Sequence, residues 1–358
     1  MEVVTTLPAD TALDQVATRI RRIERLGFDT VHIPETVHDS LAVALLAAEH
    51  STRLGIRTSM TVAFPRSPMV TAYAAWDLAR FSGGRFQLGL ATQVRGNIEG
   101  RFSVTWTDPA GRLADYLRAM RAIFDAFRTG RPLDHHGPHY RFTRLQPYFN
   151  PGGADVRPPQ LWTGGVNRRV CEVAGGLADG FVTHATNSHP RFLREHCLPA
   201  LVAGARRAGR TDGGPRVVVV SKCVTAPDRT ALRAALDAAR REFAFLYSTP
   251  AYRPTLRMLG YAEVGEHLTE LVRAERWADL PAVLTDDVLA DLVPQATYAE
   301  LPDVLQRWYG GIAHGLAVGL PPDDRHDEEF AELVRRLRAI PAAGPVWPPS
   351  AANQANAC

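Results

Sequence analysis

Apolar positions along the chain change their period at short, regular intervals. Val3 to Thr6 is a brief β-rich run. Asp14 to Leu26 then carries Val16, Ile20, Ile23 and Leu26 at helical spacing. Gly27 follows where a helix C-terminal cap belongs. "TVHIP" (30–34) predicts a second strand and "SLAVALLAAEH" (40–50) a helix apolar on most of its faces. "IRTSMTVAF" (56–64) is a third strand and 67–81 a third helix, with Pro68 in its first turn. "RFQLGL" (85–90) and 109–130 repeat the pair, as do "QLWTGGV" (160–166) with the helical run after it and "GFVTHA" (180–185) with 190–209. Residues 215–226 predict a seventh strand, 297–311 a helix, 314–320 an eighth strand and 327–340 a closing helix.

Two stretches break the rhythm. Residues 131–158, rich in Pro, Gly and aromatics, are too long for an ordinary connection and read as a lid inserted after the fourth helix. Residues 230–292 read as a helical insertion after the seventh strand. Eight strands alternating with helices suit a (β/α)8 TIM barrel or a doubly wound sheet, and the count and spacing favour the barrel. The expected organisation is one domain over 1–341, followed by a disordered Pro- and Ala-rich tail over 342–358.

Composition adds mostly exclusions. The 358 residues are 46% hydrophobic and 22% charged, as in a globular protein. Forty-one basic and 38 acidic residues are mixed along the chain, for a net charge of +3. No basic stripe emerges, so nucleic acid is not an expected partner. No apolar run approaches the ~20 residues of a membrane span, and the N-terminus lacks signal-peptide regions. The four cysteines show no paired spacing, which fits a cytoplasmic chain with free thiols. The apolar outer helix at 40–50 leaves room for a homodimer.

A barrel binds ligands where its strands end. That rule draws attention to Glu35 and Thr36, Ser59 and Met60, Ala91 to Arg95, Gly164 to Asn167, and His184. In "PETVHDS" (34–40), Glu35 and His38 could move protons, while Asp39 or Ser40 is expected to cap the next helix. "TSM" (58–60) interrupts a β-branched run with polar character and predicts a bulge. "WTGGVNRR" (162–169) pairs two glycines with a helix start near Asn167, an arrangement that can receive an anion. His135, His136 and His139 could bind zinc by spacing, but no acidic or thiol partner stands at ligand spacing, so no metal is expected. "PRSP" (65–68) reads as a rigid structural turn. Phe102, Trp106, Tyr148 and Phe149 are candidate walls of an apolar pocket.

"LGFDTVHIPETVHDS", the run from Ala63 to Ser103, "LWTGGVNR" and "LADGFVTH" together resemble the bacterial luciferase-like flavin and deazaflavin oxidoreductases. The branch most resembled depends on the deazaflavin coenzyme F420, and the similarity spans roughly residues 1–320. The resemblance implies the same barrel and hydride transfer to or from a small organic substrate. FMN with reduced-flavin monooxygenation is the alternative, and a non-catalytic flavin-binding protein the second. It implies a cis peptide at Ser59–Met60 and an acid or imidazole at Glu35 and Thr36, with His38 nearby. It also implies cofactor contacts from Ser59, Met60, Ala91, Thr92, Gln93 and Arg95, and a phosphate loop at Gly164, Gly165, Val166 and Asn167. Relatives commonly carry glycine where this chain has Ser59, Ala91 and Ala296, and often proline where it has Ser40, so the slot is expected to be narrower here.

Overall fold

Short strands buried along most of their length alternate with helices that bury one face. In a computed structural model, which describes residues 1–153, 155 and 157–345, these elements form a (β/α)8 barrel. Its parallel strands are β1 (Glu2–Thr6), β2 (Thr30–Ile33), β3 (Gly55–Thr58) with its continuation β4 (Thr61–Val62), and β5 (Phe86–Ala91). A hairpin, β6 (His135–His136) and β7 (Arg141–Phe142), precedes β8 (Gln160–Gly164), β9 (Gly180–Val182) and β10 (Arg216–Val220). The short strands β11 (Val224–Ala226) and β12 (Gln295–Thr297) pair with each other, and β13 (Gly315–Ala317) is the last barrel strand.

The helices that matter below are α1 (Val16–Arg25), α2 (Ser40–Glu49), α3 (Pro68–Phe81), α4 (Arg95–Gly100), α5 (Pro109–Thr129), α6 (Arg168–Leu177) and α7 (Leu198–Arg207). Their ends follow local chemistry. Asp39 caps α2 by accepting the amides of Leu41 and Ala42 at 2.8 and 3.3 Å. Ser67 caps α3, with Pro68 in the first turn. After α1, Gly27 takes φ +90°, and after α5, Gly130 takes +69°, conformations that cost glycine little.

The described residues divide into two compact units. The larger holds Thr5–Val182 and Ala200–Arg216 with Pro345; the smaller holds Met1–Val4, Thr183–Pro199 and Val217–Gly344. In the larger unit β2 pairs with β3, β3 and β4 with β5, β5 with β8, and β8 with β9, all parallel. In the smaller unit β13 lies between β1 and β10. Residues 229–292 of that unit are helical, and Phe243, Tyr247, Leu256, Leu268 and Leu289 form their core. Among the described residues, no helix is long and apolar enough to cross a membrane.

Several elements differ from the expected ones. The third strand is two pieces, separated at Ser59–Met60. The seventh is also two, because Lys222 takes φ +48° and turns the chain between β10 and β11. The helix expected from 297 starts only at Leu301, since Glu300 accepts both the amide and the hydroxyl of Thr297 and holds that residue in β12. Residues 193–197, inside an expected helix, form one π-helical turn. A short helix that the pattern does not predict, α4, begins at Arg95. Of the expected tail, residues 346–358 lie outside the described residues, as do 154 and 156 of the expected lid.

Candidate active site

Alternate residues of a strand face opposite sides, and that parity sorts the strand that ends the GRFQLGL run. Leu88 and Leu90 are fully buried on one face. Gln87, Gly89 and Ala91 share the other, and this second face belongs to the barrel interior. There Arg57, itself fully buried, lies 3.5 Å from the centre of the Trp162 ring and donates to Gln87 Oε1 at 2.7 Å. His32 Nε2 is 3.1 Å from the same guanidinium. Burial, and then the Arg57 charge, hold the His32 imidazole well below its usual pKa, so it stays neutral beside the arginine. These side chains form a floor within the larger unit.

Two residues further along their strands, the floor gives way to small residues. Gly89 stands opposite Trp162, and Ala91 and Gly164 lie one same-face step beyond them. Ser59, two beyond Arg57, and Met60 are joined by a cis peptide bond. The Met60 side chain lies along this region: a Cβ on Gly89 would meet its Sδ at 2.6 Å, and one on Gly164 its Cε at 3.3 Å. The same two Cβ atoms would meet the carbonyl oxygens of Thr58 at 2.0 Å and Val182 at 2.7 Å. Both glycines are therefore required by the packing of neighbouring backbone, whatever else they admit. Gly165 likewise has Val170 against it, at 2.6 Å from a built Cβ.

The segment after β5 is partly exposed and internally bonded. Gln93 adopts φ +61° and accepts the Val94 amide on its own side chain at 3.0 Å. Thr92 Oγ1 donates to the Gln93 carbonyl at 3.1 Å. Arg95 is turned along α4 to Glu99 at 2.9 Å. After β8, Asn167 caps α6 and takes the Val170 amide at 3.0 Å. Val166 is half-buried, and Arg168 and Arg169 are exposed at the helix start, paired with Glu172 and Asp108.

The expected proton-moving residues are placed very differently from one another. Glu35 is nearly buried, and its carboxylate accepts from Arg66 Nη1 at 2.8 Å and from Ser40 Oγ and the Val62 amide at 3.0 Å each. Arg66 continues to Asp39 at 2.7 Å. Burial would raise the Asp39 carboxyl, but Arg66 and the two capping amides outweigh it and hold the group below its ordinary range. Thr36 is exposed; its hydroxyl donates to the Ala9 carbonyl at 3.3 Å, and its own carbonyl accepts from Arg101. His38 is half-buried. Sequence reasoning missed Arg57 and Arg66. "PRSP" flagged a turn but not a carboxylate partner, and an arginine in a strand does not reveal which face it takes.

The segment over 131–158 is anchored. Asp115, buried on α5, accepts His135 Nε2 at 2.9 Å and the amides of His139 and Tyr140 at 2.7 and 2.8 Å. Tyr73 Oη donates to the Phe149 carbonyl at 2.6 Å. Arg112 donates to Tyr140 Oη at 3.0 Å and lies 4.5 Å from the Phe64 ring centre, whose edge meets Trp106. Tyr148 is almost wholly exposed. Among the described residues, no three His, Cys, Asp or Glu side chains are grouped to hold a metal. In the smaller unit, His184 stacks on Tyr252 with ring centres 5.0 Å apart, and Lys222 pairs with Glu242. Ala296 lies in β12 opposite Thr225.

Comparison with known proteins gives a consistent picture. Residues 1–315 match the model of the family described as luciferase-like monooxygenase. An uncharacterized protein of Mycobacterium tuberculosis is 37% identical over 267 residues, covering 75% of this chain and 78% of the relative. The solved structure of the coenzyme F420-dependent tetrahydromethanopterin reductase from Methanopyrus kandleri superposes with a TM-score of 0.74 at 18% identity, over 95% of this chain and 98% of that one. The EDTA monooxygenase from Chelativorans sp. BNC1 gives 0.71 at 14%, over 95% and 94%.

Proposed function

The chain belongs to the luciferase-like monooxygenase family, and from that premise we propose that it is an oxidoreductase that binds the deazaflavin coenzyme F420 and exchanges a hydride with a small organic substrate. The observation that carries this reading is the step from floor to rim. Arg57 and Trp162 fill the interior, and one same-face step later the side chains shrink to Ser59, Ala91 and Gly164. Small residues at the ends of packed strands fit a flat ring laid across them. The start of α6, with its first-turn amides and Arg168 and Arg169, fits the anionic tail of such a ligand.

When bound, a deazaflavin supplies or accepts a hydride, whereas reduced FMN reacts with oxygen. In this reading the chain's own groups bind and orient. Thr92 and Gln93 offer a hydroxyl and an amide to the polar edge of the ring. Gly164, Gly165, Val166 and Asn167 carry the backbone past the tail. From the loop after β2, Thr36 and His38 are the side chains left to hold or move a proton at the substrate, through the Thr36 hydroxyl or the His38 imidazole.

The monooxygenase reading with FMN stands second, and the likeness to EDTA monooxygenase favours it. A fluorescence titration of the purified chain with F420 and with FMN separates the two. Saturable binding of F420 and not FMN is expected; preference for FMN, with oxygen uptake when it is reduced, would support the second reading. Ala91→Trp, at a partly exposed rim position, is expected to weaken binding at least tenfold without unfolding the chain. Unchanged affinity would refute the slot.

A further inference from the structure

A general acid presents a proton-bearing oxygen to its substrate. Glu35 presents neither of its oxygens. Its side chain is 6% exposed, and one oxygen faces the Arg66 guanidinium while the other accepts both the Val62 amide and the Ser40 hydroxyl. The surrounding bonds close a network. Arg66 Nη1 also donates to the Val62 carbonyl at 3.1 Å, so both polar groups of residue 62 are gripped by the same ion pair. Ser40 Oγ lies 2.8 Å from Thr61 Oγ1, which ties the preceding residue to the start of α2. Asp39 binds the far side of Arg66 while it caps α2.

What this network holds is β4. Thr61 and Val62 pair with Leu90 and Ala91, and β4 directly follows Ser59–Met60. The backbone of β4 is thus fixed from one side by β5 and from the other by Glu35 and Arg66. A shift of Val62 would carry Met60 and Ala91, two of the residues that define the rim.

We infer that Glu35 and Arg66 are a positioning pair that fixes the rim of the slot through Val62, and that Glu35 is not the proton donor of the reaction. Its effect on cofactor binding rests on the function proposed above; its effect on β4 does not. Glutamine at position 35 keeps one acceptor oxygen, enough for the Val62 amide or for Arg66 but not for both, so part of a positioning role survives the change and an acid role does not. Lysine at 66 keeps the charge but loses the planar fork that reaches Glu35 and Asp39 together.

Amide hydrogen exchange over residues 59–67 tests the pair without any ligand. Glu35→Ala and Arg66→Ala are each expected to speed exchange at Val62 about tenfold or more. The double variant is expected to be no faster than the worse single one, because one unit has been broken twice. Glu35→Gln and Arg66→Lys, each of which keeps part of the network, should both fall between the parent chain and the alanine variants. Should the alanine variants fail to fold, Glu35→Gln and Arg66→Lys still decide the matter. With cofactor, affinity and the absorption band of the bound ring should follow the same order. Unchanged exchange in Glu35→Ala, additive effects in the double variant, or a loss in Glu35→Gln as deep as in Glu35→Ala would overturn the inference. If the parent chain binds neither F420 nor FMN, the proposed function falls while the exchange result still stands or falls by itself.

Discussion

At the scale of single residues, the buried His32–Arg57 contact has a consequence in pH. The imidazole must accept or stay neutral beside a guanidinium 3.1 Å away, and its folded-state pKa lies well below the ordinary value of about 6.5. The unfolded chain therefore binds a proton that the folded chain refuses. Stability is full above about pH 6.5 and falls as the pH drops below it, by up to about 1.4 kcal/mol per unit for one such group. His184 and His189, also held low by burial, act in the same direction. His32→Gln should flatten the dependence; denaturant unfolding at pH 5.5 and 7.5 measures it, and an unaltered slope would remove His32 from the account. Nothing in "TVHIP" or "IRTSM" foretold the contact. Both residues were legible as strand positions, but which interior neighbour each meets depends on register between separate strands.

At the scale of elements, close approach and buried anchoring decide the detail. The backbones of α6 and α7 nearly touch: a Cβ on Gly204 would lie 1.9 Å from the Glu172 carbonyl oxygen, and one on Gly175 2.0 Å from that of Leu201. Backbone cannot swing aside as a side chain can. Gly204→Ala is expected to cost about 3 kcal/mol of unfolding free energy, near the upper end for overpacked sites, and a loss below ~0.5 kcal/mol would show that the helices separate easily. The β6–β7 hairpin is held in a different way, by one buried carboxylate taking three donors. Asp115→Ala leaves all three without it, and a loss of about 3 kcal/mol is expected from charged hydrogen bonds of this kind. Limited proteolysis should then cut within 131–153 first; cleavage elsewhere at the parent rate would contradict the anchor. The Pro- and Gly-rich composition of that stretch marked it as irregular. It could not show that an aspartate twenty residues upstream of His135 pins it.

At the scale of the whole molecule, 41 basic and 38 acidic residues leave a net charge of +3. What the surface does carry is apolar area on adjacent outer helices of the larger unit. Leu45 on α2 is 47% exposed, and Val70 and Phe81 on α3 are 62% and 53% exposed. A homodimer through this face is the corresponding proposal. Light scattering on the eluting protein should give twice the chain mass, and Leu45→Glu with Val70→Glu should halve it. A monomer at all concentrations for the parent chain would sink it.

The order of strands and helices was written in the sequence, because period two and period 3.6 are local properties and each barrel unit repeats them. The caps at Asp39, Ser67 and Asn167 are equally local, each needing a side chain and amides within four residues, and so is the stop at Gly27, which needs only a residue free to take φ +90°. The interior was another matter. Gln87 and Gly89 interrupt the leucines of their strand, and only closure of the sheet shows that this polar and small set points inward, where Arg57 and Trp162 await it. Glu35 looked like an acid because an isolated carboxylate at a strand end has nothing to bind. Folding brings Arg66, thirty-one residues away, and the Val62 amide to it. Pairings of that kind depend on distances across the chain that no local pattern encodes, so the three-dimensional arrangement alone assigned them.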